Sequence, residues 1–252
     1  MSSLGRVRAE FVASWHSFLR RRTAVFFTFF FPVIIVLIFG ALVQTQPTGG
    51  GLFAEPPAYY VPGYLAVVVL FTPLSRVGST IARHREGNRF EKLATTPLSR
   101  PEWLLAQTLV NVVVIGLAAL LLFALTVLVT GVSLPTNAAA ALVVPLFVAL
   151  GVTLFCGLGA ILGRVADSQD GVIAASNAVA LPLLFLSETF VTPDLLPAWF
   201  RPAIDFSPLT YFARGVRAVT TGTGDPWTNL AVLAVLAAAF FAVGAASIPR
   251  TD

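Results

Sequence analysis

Six apolar segments, each of about 18 residues or more, occupy most of this 252-residue chain. They run at Val25–Val43, Tyr60–Ile81, Trp103–Val129, Ala138–Leu162, Val172–Thr189 and Thr228–Ile248. At a rise of about 1.5 Å per residue, a helix of that length matches the ~30 Å hydrocarbon core of a bilayer. Lipid offers no partner to backbone N–H and C=O groups, so each segment must satisfy its own, as a helix does. Pro32, Pro73, Pro145 and Pro182 fall inside four of the segments, where neighbouring helices can take up the freed carbonyls. The chain is 57% hydrophobic and 11% charged, with a mean hydropathy of +0.86, outside the range of soluble domains. No polar stretch is long enough for a separate core. The expected fold is therefore all-α, an integral membrane protein of six transmembrane helices. No internal repeat is visible, which argues against inverted-repeat carriers.

Charge sets the rest of the plan. Residues 1–24 carry Arg6, Arg8, Arg20, Arg21 and Arg22, and Leu4, Val7, Phe11, Trp15 and Phe18 recur at steps of three and four. This reads as an amphipathic helix lying in the cytoplasmic face of the membrane, ahead of one transmembrane domain at 25–252. A plain basic leader that sets topology is the alternative. The lead is too long and too charged for a cleaved signal, so the segment is expected to be retained.

Between the second and third segments, 83–107 holds five of the 16 Lys and Arg: Arg83, Arg85, Arg89, Lys92 and Arg100. By contrast, 44–59 and 131–137 have none. Basic loops stay in the cytoplasm, so both termini and the 83–107 loop are expected there, with Arg164 and Arg250 agreeing. Residues 190–227 must then be external despite Arg201, Arg214 and Arg217. Their apolar pieces are too short to span, and Pro197, Pro202 and Pro208 break them into re-entrant or interfacial helices. The net charge of +4 sits at membrane edges, which excludes a nucleic-acid partner and favours anionic lipid.

Catalytic chemistry is hard to build from these residues. His16 and His84 are far apart, Cys156 is alone, and there is neither an HExxH nor an acidic cluster for a metal. Asp167 and Asp170 suit helix capping. No Gly-rich Lys-Ser/Thr loop is present, so the chain does not bind ATP in the P-loop manner, and no cofactor of its own is expected. Within the segments the main polar residues are Gln107, Asn111, Ser176 and Asn177, a set suited to gluing helices. No Asp, Glu or Lys lies mid-segment, which argues against an ion-coupled carrier.

Two motifs add a resemblance. The first is Glu86, Arg89, Phe90, Glu91, Lys92 and Leu93, followed by Thr95-Thr96-Pro97-Leu98-Ser99-Arg100. A short helix ending at Pro97 with Phe90 and Leu93 on one side is a peg for a cleft on a soluble partner; a solvated turn joining two spans is the plainer reading. The second is Pro208-Leu209-Thr210-Tyr211 with Arg217 beyond it, approached by Pro193, Pro197 and Trp199. Together they resemble permeases of the ABC-2 export family, in which the first motif is the cytosolic loop that touches the ATPase and the second faces outward. The chain departs from the family pattern in two places. Lys92 splits the Glu–Leu pair, and Ser187-Glu188-Thr189 stands where Ser-Gly is common. A carboxylate at 188 either lines the exit path or snorkels to the interface.

The resemblance implies a coupling loop at 83–102 with Glu86, Arg89, Phe90, Glu91, Leu93, Pro97 and Arg100 meeting a cytosolic ABC ATPase. It also implies an outer signature of Pro193, Pro197, Trp199, Pro208, Leu209, Tyr211 and Arg217. A second permease copy or a paralogous permease would complete the transporter in the plasma membrane, moving an amphipathic or lipid-linked substrate outward with ATP bound by the partner. The rivals are an ion-coupled carrier or channel, a lipid-modifying enzyme, and a membrane anchor for an ATPase that transports nothing.

Overall fold

Helix ends in this chain are set by caps and turns more than by where apolarity stops. The computed structural model describes residues 2–38, 57–131, 138–190, 192–193 and 196–249. Nine α-helices lie among them: α1 Ser3–Leu19, α2 Arg22–Val36, α3 Pro57–Glu86, α4 Arg89–Ala94, α5 Arg100–Thr130, α6 Ala138–Val165, α7 Gln169–Phe185, α8 Pro208–Thr221 and α9 Pro226–Ser247. A 3-10 turn, Arg201–Phe206, leads into α8. No strand occurs among the described residues. Four helices, α3, α5, α6 and α9, are long and apolar enough to cross a membrane, while α2 and α7 are shorter apolar helices. The end of the expected first segment, residues 44–56 of the stretch free of Lys and Arg, the turn at 132–137 and Arg250 lie outside the described residues.

The packing centre is α3. Tyr60, Leu65, Leu70, Leu74 and Ile81 are fully buried on several of its faces, because α2, α5, α6, α7 and α8 all touch it. Next to it, α6 lies between α3 and α9. These crossings are close. A methyl on Gly163 would sit 2.5 Å from the Gly78 carbonyl, and one on Gly244 would sit 2.5 Å from that of Gly157. Lipid tails are as apolar as leucine, so helices gain little hydrophobic energy by meeting. They gain dispersion contacts, which need backbones brought together over small residues. The outer face of α5 shows the complementary pattern: Leu105, Leu109, Val113, Leu117 and Leu120 recur at three- and four-residue steps and stay exposed. That face is suited to lipid.

Three local expectations change. First, the apolar stripe of α1 does not lie open. Val7 and Phe18 are buried, and Phe11 and Trp15 join Phe18 against Val110 and Val114 of α5 and Val25 of α2; Leu4 alone stays 83% exposed. Second, α7 stops at Phe185, four residues before the expected end. Ser187 Oγ and Thr189 Oγ1 both donate to the Leu184 carbonyl, at 2.6 and 3.0 Å. Local hydroxyl bonds of this kind compete with the helical ladder. Third, the α7 cap is Ser168, whose Oγ accepts from Gly171 N at 3.1 Å. Asp170 stands in the first turn of α7, and Asp167 does not cap it.

Candidate functional site

The two motifs lie at opposite ends of α3, about 45 Å apart by its rise per residue. At one end the chain leaves α3 at Glu86, reverses through Asn88 in the left-handed region (φ 51°), and forms α4. Thr95 and Thr96 stop α4 by donating their hydroxyls to the Lys92 and Leu93 carbonyls, at 2.8 and 2.7 Å. A new helix begins at once, because Ser99 N donates to Glu102 Oε2 at 2.9 Å and holds the first turn of α5.

The predicted coupling residues divide between two roles here. Phe90 is 4% exposed and points into the chain, 5.4 Å from the His84 ring and 5.6 Å from Trp103. It is therefore not free to serve as an outward peg, contrary to the sequence reading. Leu93 is half-buried against the core. Glu86 and its neighbour Arg85 turn toward the α6–α7 junction. Arg85 Nη1 donates to the carbonyls of Arg164 and Ala166 at 3.1 and 2.9 Å, closing the C-terminus of α6. Glu86 accepts from Gln169 N at 3.3 Å and from Gln169 Nε2 at 3.2 Å, at the N-terminus of α7. A cation on a helix C-terminus beside an anion on a helix N-terminus matches both dipoles. Arg100 Nη1 donates to the Ala246 carbonyl at 3.2 Å, on the last turn of α9. Arg89, Glu91, Lys92 and Pro97 are exposed, as are Ala94 to Thr96 beside them, and Glu86 is exposed even though it holds Gln169.

This end also receives α1. Glu102 Oε1 accepts from Ser3 Oγ and Arg6 Nη2, each at 2.5 Å. Gln107 Nε2 donates to Glu10 Oε1 at 3.1 Å and to Ser14 Oγ at 2.7 Å. Gln107 thus glues helices, as its place in an apolar segment suggested. Asn111 does not, since its Nδ2 bonds the Gln107 carbonyl of its own helix at 2.9 Å. Asn177 is exposed, and buried Ser176 Oγ has no hydrogen-bond partner among the described residues.

At the other end, α8 carries most of the second motif. Pro208 opens the helix, where its missing N–H costs nothing. Leu209 is fully buried. Tyr211 Oη donates to the Asp205 carbonyl at 2.9 Å, folding the 3-10 turn back on α8. Pro193, Pro197 and Trp199 lie on the irregular approach, and Trp199 is 80% exposed. Glu188 neither snorkels nor stands free. It is buried, with Arg214 Nη2 on its Oε1 and Arg217 Nη1 3.8 Å from its Oε2. Arg217 Nη2 also donates to the Glu188 carbonyl at 2.6 Å, and its guanidinium lies 3.8 Å over the Tyr59 ring. Arg217 therefore turns inward and does not reach for head groups at the foot of α9. The carboxylates of Glu188 and Asp205, which bonds Arg214 at 2.8 Å, hold the Arg214 guanidinium firmly in its charged form, against the opposing effect of burial.

One charged residue escaped the sequence reading. Arg76 lies inside the second apolar segment, ten residues before the end of α3. The pair Ser75-Arg76 is the signal that could have revealed it. No group of three or more His, Cys, Asp or Glu suited to a metal exists among the described residues.

A multi-pass helical bundle with a short connecting helix at one end and a Pro-Leu-Thr-Tyr helix at the other defines a class that the comparisons identify. The profile of the family described as ABC-2 type transporter matches residues 6–220, and the chain belongs to that family. It is similar to the daunorubicin resistance ABC transporter permease protein DrrB1 of Streptomyces coeruleorubidus. The two are 28% identical over 213 residues, covering 82% of this chain and 71% of the relative. The chain is thus a transporter permease, a multi-pass membrane protein and not an enzyme by family.

Proposed function

We propose that this chain is the permease subunit of an ATP-driven exporter, with α4 as the point where a cytosolic ABC ATPase docks. The observation that carries the reading is α4 itself. This six-residue helix is rooted by Phe90 against His84 and Trp103 and presents Arg89, Glu91 and Lys92 to solvent. A rooted helix with an exposed charged face transmits a push where a loose turn would absorb it. Arg85 and Glu86 extend the path by holding the α6–α7 junction. Two bistable packings biased through this end would suffice for alternating access.

In this reading the six spans are α2, α3, α5, α6, α7 and α9 of a transmembrane domain at 25–252. The 1–24 helix is interfacial, the 83–102 turn couples to the partner, and 190–227 re-enters from outside. Both termini are cytoplasmic and the membrane is the plasma membrane. ATP is bound by the partner, and a second permease, the same or paralogous, completes the path. The cargo is amphipathic or lipid-linked; the printed name of the relative, a drug-resistance permease, points in that direction.

The test is co-purification with the candidate ATPase. Glu91→Lys is expected to abolish capture of the ATPase while leaving the permease folded, and capture by a Glu91→Lys, Lys92→Glu double variant at the wild-type level would overturn the docking site. Topology is read separately in a Cys156→Ala background. Labelling of Thr96→Cys by an impermeant thiol reagent in intact cells would sink the orientation.

A further inference from the structure

Beside α4, at the same end of the bundle, α1, α2, α3, α4 and α5 surround a cavity of about 810 Å³. Its wall holds Arg21, Arg76, Arg83, Arg89 and Lys92 against a single carboxylate, Glu10, which is already engaged by Ser14 and Gln107. Among the described residues none of the five cations forms a salt bridge with a carboxylate. Arg83 reaches only the Thr80 hydroxyl at 3.4 Å, and Arg89 only the His84 ring at 3.4 Å.

The deepest of the cations is Arg76. Its guanidinium lies 4.3 Å over the Phe18 ring, and its Nη1 is buried with no hydrogen-bond partner. An unsatisfied buried donor on a charged group is destabilising unless an acceptor supplies what is missing. So many cations around one space call for an anion with several oxygens.

A second observation decides what kind of anion. Phe27 and Phe31 of α2 line the same cavity, yet remain 58% and 40% exposed. Phe26 and Phe30, 55% and 40% exposed, continue this aromatic surface along α2. A free inorganic anion has no use for such a wall, whereas an acyl chain does. Basic pockets between membrane helices with an apolar exit are built for lipid head groups.

We infer that this cavity is a binding site for an anionic phospholipid. The head-group phosphate is held by Arg76, Arg83 and Arg21, and an acyl chain runs over the phenyl rings of α2. Arg89 and Lys92 of α4 border the cavity, but the phosphate is assigned to Arg76, Arg83 and Arg21, and the inference does not rest on ATPase docking.

The experiment uses the full chain, delipidated in neutral detergent, with retained lipid measured by native mass spectrometry. Phosphatidylglycerol and phosphatidylcholine are offered as matched pairs. Wild type is expected to retain phosphatidylglycerol at least about tenfold in preference, and Arg76→Gln to lose most of that preference. Folding is checked by the continued protection of buried Cys156. If Arg76→Gln unfolds, an Arg21→Gln, Arg83→Gln double variant at the cavity wall replaces it, with the same loss expected. Equal retention of the two lipids by wild type, or undiminished preference in a folded variant, overturns the inference. Displacement of the lipid by millimolar inorganic phosphate would overturn the lipid assignment in favour of a free-anion site.

Discussion

The two ends of α3 solve the same problem with opposite use of charge. At the α8 end the charges are inside: Glu188 is 6% exposed and shared by Arg214 and Arg217, with the Tyr59 ring under the latter. At the α4 end the charged side chains of α4 itself, Arg89, Glu91 and Lys92, are outside, and the helix is anchored by the buried Phe90 ring. A buried ion pair stands on a network that must be complete, because removing one partner strands the other without water. An exposed pair is screened and adaptable, and contributes little to stability. The α8 network is therefore built to keep one arrangement, while the exposed charges of α4 can change partners at little cost.

The sharpest way to break that contrast is Glu188→Gln. It leaves Arg214 and Arg217 facing a neutral amide, and loss of a buried partner costs about 3–5 kcal/mol, or roughly 10 °C of thermal midpoint. The single cysteine, Cys156, is fully buried, so its reaction with a thiol-reactive dye on heating reports unfolding directly. An unchanged midpoint would mean that the Glu188 network does not hold α8.

Phe90→Ala comes second. Because Phe90 lies in the turn between α3 and α5, its burial is from water, and a cavity of that size costs about 3 kcal/mol. The loss is expected to be local: α4 amides should exchange with solvent much faster while the thermal midpoint of the bundle moves little. Equal loosening at α4 and α8 would show that the ends are not independent.

The third variant, Glu86→Ala, removes an exposed clasp on α7. The expected cost is below about 1 kcal/mol. Its signature is faster exchange of the Gln169 amide, which Glu86 accepts at 3.3 Å. If that amide stays as protected as before, the α6–α7 junction is held by Ser168 and Arg85 without help from Glu86.

The same contrast explains what could be read from the chain beforehand. The long apolar runs dictated helices, since no other structure satisfies their backbone in lipid. The Thr95-Thr96-Pro97 break and the Pro208 start were legible because their chemistry is local. The partners of side chains were not. Nothing in the order of residues says that Glu188 meets arginines 26 and 29 positions later, or that Glu86 reaches Gln169 across 83. Phe90 looked like an outward peg because helical spacing gives a face without saying what covers it. Covering by α3 and α5 is a tertiary fact. Arg76 was passed over because the residues around it are apolar enough to carry a single charge without disturbing the average.

The smallest expected effect concerns the seam between α1 and α5, where both styles of charge meet. Burial pushes the Glu10 carboxyl above its ordinary value, against the hydrogen bonds from Ser14 and Gln107 and the charge of Arg89. An acid whose folded pKa is raised binds more protons folded than unfolded. Its contribution to docking of α1 is therefore fully present below the ordinary carboxylate value of about 4.3 and declines as pH rises through the raised value. At neutral pH the ionised form is a small burden. Glu10→Gln keeps an acceptor for Ser14 and Gln107 and removes the charge, so α1 should dock more tightly by a few tenths of a kcal/mol. The Arg6–Glu102 pair acts in the opposite direction, since protonating Glu102 at low pH would weaken it. That pair is common to both proteins, so the difference between them isolates Glu10. Protection of α1 amides, corrected for intrinsic exchange, should rise from pH 7 to pH 5 more steeply in wild type than in Glu10→Gln. Identical slopes would place the cost of burying Glu10 elsewhere, in a hydrogen-bonded site where water or Arg89 already compensates it.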